Sequence, residues 1–173
     1  DAYRDLPVLF LESSCHSMFA EDYLELGVPG AEKVAPRAHL FEAFLYDVLN
    51  RSPEALAFTS REGAVAIHGH CHAKALGDAS VLPELAERVP GTTARLLDTG
   101  CCGMAGSFGA LRDKYDLSLE VARDLVAKLE ALEEGTRVIA SGTSCRQQIR
   151  HLTDRRPLHM AELLAEALTP SER

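Results

Sequence analysis

No run of Lys and Arg in this chain is long enough to track a phosphate backbone, and its 18 basic residues are outnumbered by 26 acidic ones, for a net charge of −8. A nucleic-acid partner is not expected. Nor does any stretch approach the roughly 18 uninterrupted apolar residues that a membrane-spanning helix needs. The apolar 46% of the chain is dispersed instead, as a globular core requires. The opening residues, with Asp1, Arg4 and Asp5, lack an apolar region behind a basic start. A secretory signal is therefore not indicated, and a cytoplasmic location is expected. Even cysteine spacing is missing too: there are five, including the adjacent pair Cys101 and Cys102, which makes a poor disulfide framework. Metal or redox chemistry in a reducing compartment is the better expectation. With 173 residues there is room for one ordinary domain, spanning 1–173, but not for a complete large flavoenzyme.

Four short apolar runs, each partly β-branched and bounded by polar residues or glycine, read as buried strands: Pro7–Leu11, Ala64–His68, Arg95–Leu97 and Arg137–Ala140. Helical patterns lie between them. Leu40, Phe41, Phe44, Leu45, Val48 and Leu49 predict an apolar stripe on a helix beginning after Pro36. A longer helix is predicted with Asp116 as N-cap, Leu117, Val121, Leu125, Leu129 and Leu132 on one face, and Gly135 as its stop. A shorter helix follows Ser80, and a last one carries Met160, Leu163, Leu164, Ala167 and Leu168 before Pro170. Strands alternating with helices predict an α/β fold with a doubly wound, mainly parallel sheet. One internal echo stands out: Val8 to Cys15 matches Val138 to Cys145 at a constant offset of 130, each an apolar strand followed by a Ser-Cys turn. Residues 1–16 are accordingly read as the tail of a preceding repeat.

All five cysteines, Cys15, Cys71, Cys101, Cys102 and Cys145, follow a predicted strand. In a parallel sheet such positions converge outside the carboxyl ends of the strands, where α/β folds place ligands. Four thiolates suit a tetrahedral iron or zinc site, or an iron-sulfur cluster. The competing reading, buried cysteines acting as small hydrophobes, fits badly, because cysteines in glycine-rich loops are not expected to fill core positions. The loop Asp98-Thr-Gly-Cys-Cys-Gly-Met-Ala-Gly-Ser-Phe-Gly109 surrounds two thiols with Gly100, Gly103, Gly106 and Gly109. These glycines let the backbone approach closely and aim N–H groups at negatively charged sulfur. A phosphate loop is disfavoured, because neither a dinucleotide fingerprint nor Walker spacing is present. Within His68-Gly-His-Cys-His72 the three histidines cannot all face one centre from an extended segment, so one is expected to hydrogen-bond near the site and the others to be solvated. Lys74 and Arg146 either offset site charge or are ordinary solvated cations. No serine elbow suggests hydrolysis.

Together, His68-Gly-His-Cys-His72, the Asp98–Gly109 loop and Gly142-Thr-Ser-Cys-Arg-Gln-Gln-Ile149 resemble the cysteine-rich CCG domain. That domain occurs in heterodisulfide reductase, in the iron-sulfur subunits of glycolate oxidase and anaerobic glycerol-3-phosphate dehydrogenase, and at the C-terminus of large FAD-linked D-2-hydroxyacid dehydrogenases. The last group is the most similar, since Leu11-Glu-Ser-Ser-Cys15 and the closing Met160 to Leu168 also resemble its tail. The resemblance covers nearly the whole chain. It implies iron-sulfur electron transfer with Cys71, Cys101, Cys102 and Cys145 on ligand positions, a 4Fe-4S cluster as cofactor, and FAD in another part or partner. A flavin-containing domain or subunit and a downstream acceptor, at the membrane in some cases, are the implied partners, acting on a small 2-hydroxyacid of the D-lactate, glycolate or D-2-hydroxyglutarate type. The chain departs from the fullest family pattern, in which a Cys-x-x-Cys closes the motif, because Gly142 holds the first of those places. Cys15 is then either a lone thiol or a visitor to the same site. Two other readings stay open: a zinc-binding docking module and a thiol or disulfide reductase. Phe108, beside the paired cysteines, is either an exposed docking contact or a cap on the core.

Overall fold

The structure is a computed structural model and describes residues 5–169. Pro170, expected to end the last helix, lies outside them, as do residues 1–4 of the predicted repeat tail. In chain order the elements are β1 (Val8–Phe10), α1 (Ser13–Ser17), a π-helical turn, α2 (Tyr23–Glu25), α3 (Ala31–Val34), β2 (Ala38–Leu40), α4 (Phe41–Arg51), β3 (Gly63–Ile67), α5 (Cys71–Leu76), α6 (Val81–Ala86), β4 (Thr92–Leu96), α7 (Tyr115–Glu130), β5 (Arg137–Ile139), α8 (Thr143–Leu152) and α9 (Met160–Ala167). Among the described residues no helix is long and apolar enough to cross a membrane.

The fold is α/β, and every pairing between these strands is parallel. The strands divide between two sheets, a pair β1-β2 and a three-stranded sheet ordered β4-β3-β5. Side chains of the larger sheet alternate with a period of two. Val65, Ile67 and Ile139 project to one side, where α4, α6 and α9 supply Leu49, Leu85, Leu163 and Leu164. Ala66 and Val138 project to the other, where α7 and α8 supply Leu125, Leu129 and Ile149. The larger sheet is thus covered by helices on both faces. Each fully buried Leu or Ile contributes about 1.5–3 kcal/mol relative to exposure, so these two layers hold the strand ends in register.

Three expectations need correction. Leu40 belongs to β2 rather than to α4, because Ala38–Leu40 pairs with Val8–Phe10. Asp116 is not the N-cap of α7; Lys114 is, and Asp116 sits in the first turn, where a carboxylate still favours the helix dipole. Leu117 and Val121 are exposed, while Ser118, Ala122, Leu125 and Leu129 are buried. Small residues line the start of the buried stripe because the glycine loop packs directly on it: a Cβ on Gly103 would lie 2.2 Å from the Ser118 carbonyl oxygen.

The internal echo extends into structure. β1 leads into α1 with Cys15 as its third residue, and β5 leads into α8 with Cys145 as its third residue. Each strand also has a parallel neighbour that runs directly into a helix. β1 pairs with β2 before α4, and Ile139 of β5 pairs with Leu158 shortly before α9. β5 has β3 on its other side, whereas β1 has β2 as its one strand partner among the described residues.

Candidate metal centre

β3 lies between β4 and β5, so the chain leaves the carboxyl end of β3 toward one neighbour and returns on its other side. That is a topological switch point, where side chains from separate loops meet. Cys71 opens α5, Cys101 and Cys102 follow β4, and Cys145 lies in the first turn of α8. They lie close enough to interact in two pairs, Cys71 with Cys101 and Cys145 with Cys102, and in each pair the first thiol is pushed up by the second. Charge on Cys101 and Cys102 is felt at both Cys71 and Cys145. All four thiols are free. Among the described residues no group of three or more His, Cys, Asp or Glu side chains is arranged to hold a single metal ion.

Cys102 and Cys145 are 3% and 1% exposed and pack with Leu97, Leu125 and Ile149. These two cysteines therefore do fill core positions, contrary to the expectation from their glycine-rich surroundings. Cys71 and Cys101 are partly exposed, and Cys15 is exposed at the surface on α1.

Backbone groups act on two of the sulfurs. Gly103 N donates to Cys101 Sγ at 3.3 Å, the backbone at Met104 favours charge on Cys102, and His72 N donates to His70 Nδ1 at 3.2 Å. The interaction with Cys145, with those of His68 and Met104, outweighs burial and holds Cys102 well below the ordinary thiol pKa. Cys145 is pushed up by its interaction with Cys102 and by burial. Burial, then the adjacent Cys101, raises Cys71. The shifts of Cys102 and Cys145 are opposite in sign, as for two neighbouring sulfurs that share one proton. Of the expected glycines, Gly103 (φ +89°) and Gly106 (φ +69°) require the left-handed region, whereas Gly100 has open space around it and no such φ. Gly109 is the further close contact, against the Ser118 hydroxyl, which accepts from buried Gln148.

The three histidines separate. His68 is 2% exposed, its Nδ1 2.8 Å from Thr99 Oγ1. His70 is buried as well, which corrects the expectation of a solvated ring, and burial lowers its pKa. His72 is exposed, with Ser17 Oγ 2.9 Å from its Nδ1. His70 takes the space beside Gly142: a Cβ there would lie 2.2 Å from His70 Cδ2 and 3.2 Å from Cys145 Sγ. A side chain at 142 and an imidazole at 70 exclude each other. Gly142→Ala is therefore expected to cost roughly 1–3 kcal/mol, and His70→Ala in the same chain to restore part of it. Urea unfolding of the four proteins of this cycle measures the coupling.

Neither cation behaves as a counter-charge to sulfur. Lys74 Nζ donates to Thr99 O at 2.5 Å, and Arg146 donates to the Ala140 and Ser141 carbonyls, bracing the turn into α8. Phe108 is half-buried.

Sequence reasoning passed over Glu12, which spans the two echoing segments. Its Oε2 accepts from Thr143 N at 2.7 Å, satisfying the start of α8 where Gly142 offers no side chain, and its Oε1 lies 3.9 Å from His70 Nε2. Burial tends to raise the Glu12 pKa, but the bonds from Thr143 and Ser14 prevail and leave it lowered. A carboxylate whose pKa is lower folded than unfolded adds stability above the unfolded value, and that stability is lost as pH falls through the folded value. Glu12→Gln is expected to reduce stability at neutral pH by about 1 kcal/mol and to flatten the acid limb of a stability–pH curve. Thermal denaturation from pH 7 down to pH 3 checks both.

The chain is an α/β domain that brings four free thiols to one end of its larger sheet. No protein-family model matches the chain, and no solved structure matches it. Four curated proteins do, among them these two. One is a subunit of the anaerobic glycerol-3-phosphate dehydrogenase of Escherichia coli (strain K12), 26% identical over 166 residues, which cover 95% of this chain and 41% of that protein. The other is D-2-hydroxyglutarate dehydrogenase from Pseudomonas putida, 26% identical over 167 residues, which cover 93% of this chain and 15% of that protein. The chain therefore spans less than half the length of either relative. Both are dehydrogenases or parts of one, which places the chain in an oxidoreductase context.

Proposed function

We propose that Cys71, Cys101, Cys102 and Cys145 hold an iron-sulfur cluster, of the 4Fe-4S type, through which electrons pass from a flavin in another domain or chain to a downstream acceptor. The observation that supports this reading is that four free thiols from three loops lie close enough to interact at one end of the larger sheet, with Gly103 N–H donating to Cys101 Sγ. Such a donor favours thiolate over thiol, the form a cluster requires. When bound, the cluster supplies one-electron transfer. The residues of this chain supply ligation, partial burial and hydrogen bonds to sulfur, which together tune the potential. Glycerol 3-phosphate and D-2-hydroxyglutarate, named in the relatives, are both secondary alcohols. A small hydroxy compound of that class, a 2-hydroxyacid in particular, is the proposed source of the electrons.

Docking to a flavin-bearing partner is supported by the apolar surface beside the glycine loop, where Leu111, Leu117 and Val121 are exposed. A preceding half of the same polypeptide is supported by the echo: β1 and Cys15 repeat β5 and Cys145, yet β1 lacks a counterpart of β3 among the described residues. Cys15 is on this reading a ligand position of that other half.

Anaerobic loading with ferrous iron and sulfide tests the assignment. Broad visible absorption, acid-labile sulfide matching iron, and a paramagnetic signal on reduction are the expected results. A colourless protein that takes up zinc and rejects iron and sulfide would instead make the site a zinc-binding docking module. Turnover of a disulfide substrate by metal-free protein would make it a thiol reductase.

A further inference from the structure

A cavity lies at the carboxyl end of β3, on the side of the larger sheet covered by α4 and α6, opposite the side into which Cys102 and Cys145 pack. Leu40, Ile67, Val81 and Leu82 give it a largely apolar wall. The space open to the centres of water-sized molecules is about 50 Å³, enough for a short chain of atoms and far too little for a flavin or a nucleotide. Polar groups reach it from three separate segments: Ser13 from α1, Glu42 from α4 and Ser141 from the loop after β5. Glu42 is 5% exposed, and its Oε1 is fully buried with no hydrogen-bond partner among the described residues. Nor does any cation among them pair with this carboxylate. Its place in the first turn of α4 suits the helix dipole, yet a buried charge needs a partner of its own. Gly77 and Asp78, both exposed, also line the cavity, which puts its mouth at the turn between α5 and α6. Ser80 N donates to Asp78 Oδ1 at 2.8 Å and fixes that carboxylate at the turn. The lining thus holds two carboxylates, the imidazoles of His68 and His70, and no Lys or Arg.

We propose that this cavity is a binding site for a small primary alkylamine, whose ammonium group meets Glu42 and whose short stem lies against Leu40, Ile67, Val81 and Leu82. The sign of the charge follows from the lining: an anion such as a hydroxyacid would face two carboxylates with no Lys or Arg to offset them. The apolar wall selects an organic cation over a metal ion, because a hard cation takes about six oxygen ligands, which this lining does not offer. An ammonium presents several N–H donors, and Glu42, Ser13 and Ser141 bring side-chain oxygens that accept them. Asp78 at the mouth draws cations toward the entrance. The site uses none of the cysteines, so it goes beyond the cluster reading and stands or falls apart from it.

The test titrates the whole chain with n-butylammonium chloride at constant ionic strength, following calorimetry and backbone amide shifts. Saturable binding on the order of millimolar is expected for so small a ligand, with the shifts centred on Ser13, Glu42 and Val81. Butan-1-ol carries the same stem without charge and butyrate reverses the charge, and each is expected to bind at least about tenfold more weakly. Glu42→Gln keeps the side-chain shape and removes the charge, and is expected to weaken n-butylammonium binding by about tenfold or more. Asp78→Asn is expected to weaken it only about two- to threefold, because an exposed charge is screened. If Glu42→Gln does not fold, the comparison of the three ligands on the parent chain, with Asp78→Asn, carries the test. Absence of saturable n-butylammonium binding, shifts centred away from the cavity, equal binding of butan-1-ol, or undiminished affinity in Glu42→Gln would each overturn the proposal.

Discussion

Cys102→Ser is expected to lose most of the iron and sulfide that the parent chain takes up, and Cys101→Ser to do the same, while Cys15→Ser keeps the parental content. Cys102 is buried beside Cys145 and held well below the ordinary thiol pKa, whereas Cys71 and Cys145 are raised, so a thiolate forms there more readily. Serine is nearly isosteric and can accept the same bonds, but its alkoxide is far harder to form than a thiolate, so ligation fails while packing survives. A ligand bound only by the folded state at 100 times its dissociation constant stabilises by about 2.7 kcal/mol. For a domain of this size that is roughly 5–10 °C in Tm. The loaded parent should therefore melt well above the metal-free parent, and Cys102→Ser should show no such gap. Iron and sulfide assays with paired melting curves measure both effects. Parental iron in both Cys101→Ser and Cys102→Ser would give the loop another purpose, and a large loss in Cys15→Ser would make Cys15 a fifth ligand.

Gly103→Ala is expected to be the most damaging single change that removes no sulfur. Gly103 sits at φ +89°, where a side chain costs about 1–2 kcal/mol. Its new methyl group would meet the Ser118 carbonyl oxygen at 2.2 Å, backbone against backbone, which no side-chain rotation relieves. Overpacking of this kind costs a further 1–3 kcal/mol or so. The loop must then retreat from α7, and the N–H of Gly103 moves off Cys101. A fall of roughly 5–15 °C in Tm is expected at 2–4 °C per kcal/mol, together with weakened iron uptake. Gly100→Ala is the contrasting substitution, since open space surrounds that residue, and it should change little. Equal losses from the two would show that the close approach to Ser118 is not what makes the loop depend on glycine.

How far local pattern reaches is seen by comparing α4 with α7. In α4, Phe41, Leu45 and Leu49 of the expected stripe do face the core, because a helix with large apolar residues on one side tends to bury that side. In α7 the same reasoning puts Leu117 and Val121 inward, and they are exposed. The difference lies outside the helix: Gly103 and Gly109 press on Ser118, so the inward stripe must start with small residues. β2 was invisible for a related reason. Three residues carry no period, and Ala38–Leu40 is a strand only because it pairs with β1.

Local pattern alone is enough for the α/β class, the run of short strands, and the approach of four of the five cysteines, all but Cys15. Each follows from rules that act over a few residues or from strand direction alone. What it could not decide is which partner each polar group finds there. Glu12 reaches Thr143 across 131 residues and His68 meets Thr99 across 31. His70 holds the space that a side chain at Gly142 would need, and Cys102 and Cys145 are drawn into the core between β5, α7 and α8. Periodicity records how a segment divides water from core. Hydrogen bonds and steric exclusion between distant segments exist only after the chain has closed, so the partners of Glu12, His68 and His70 belong to the tertiary structure.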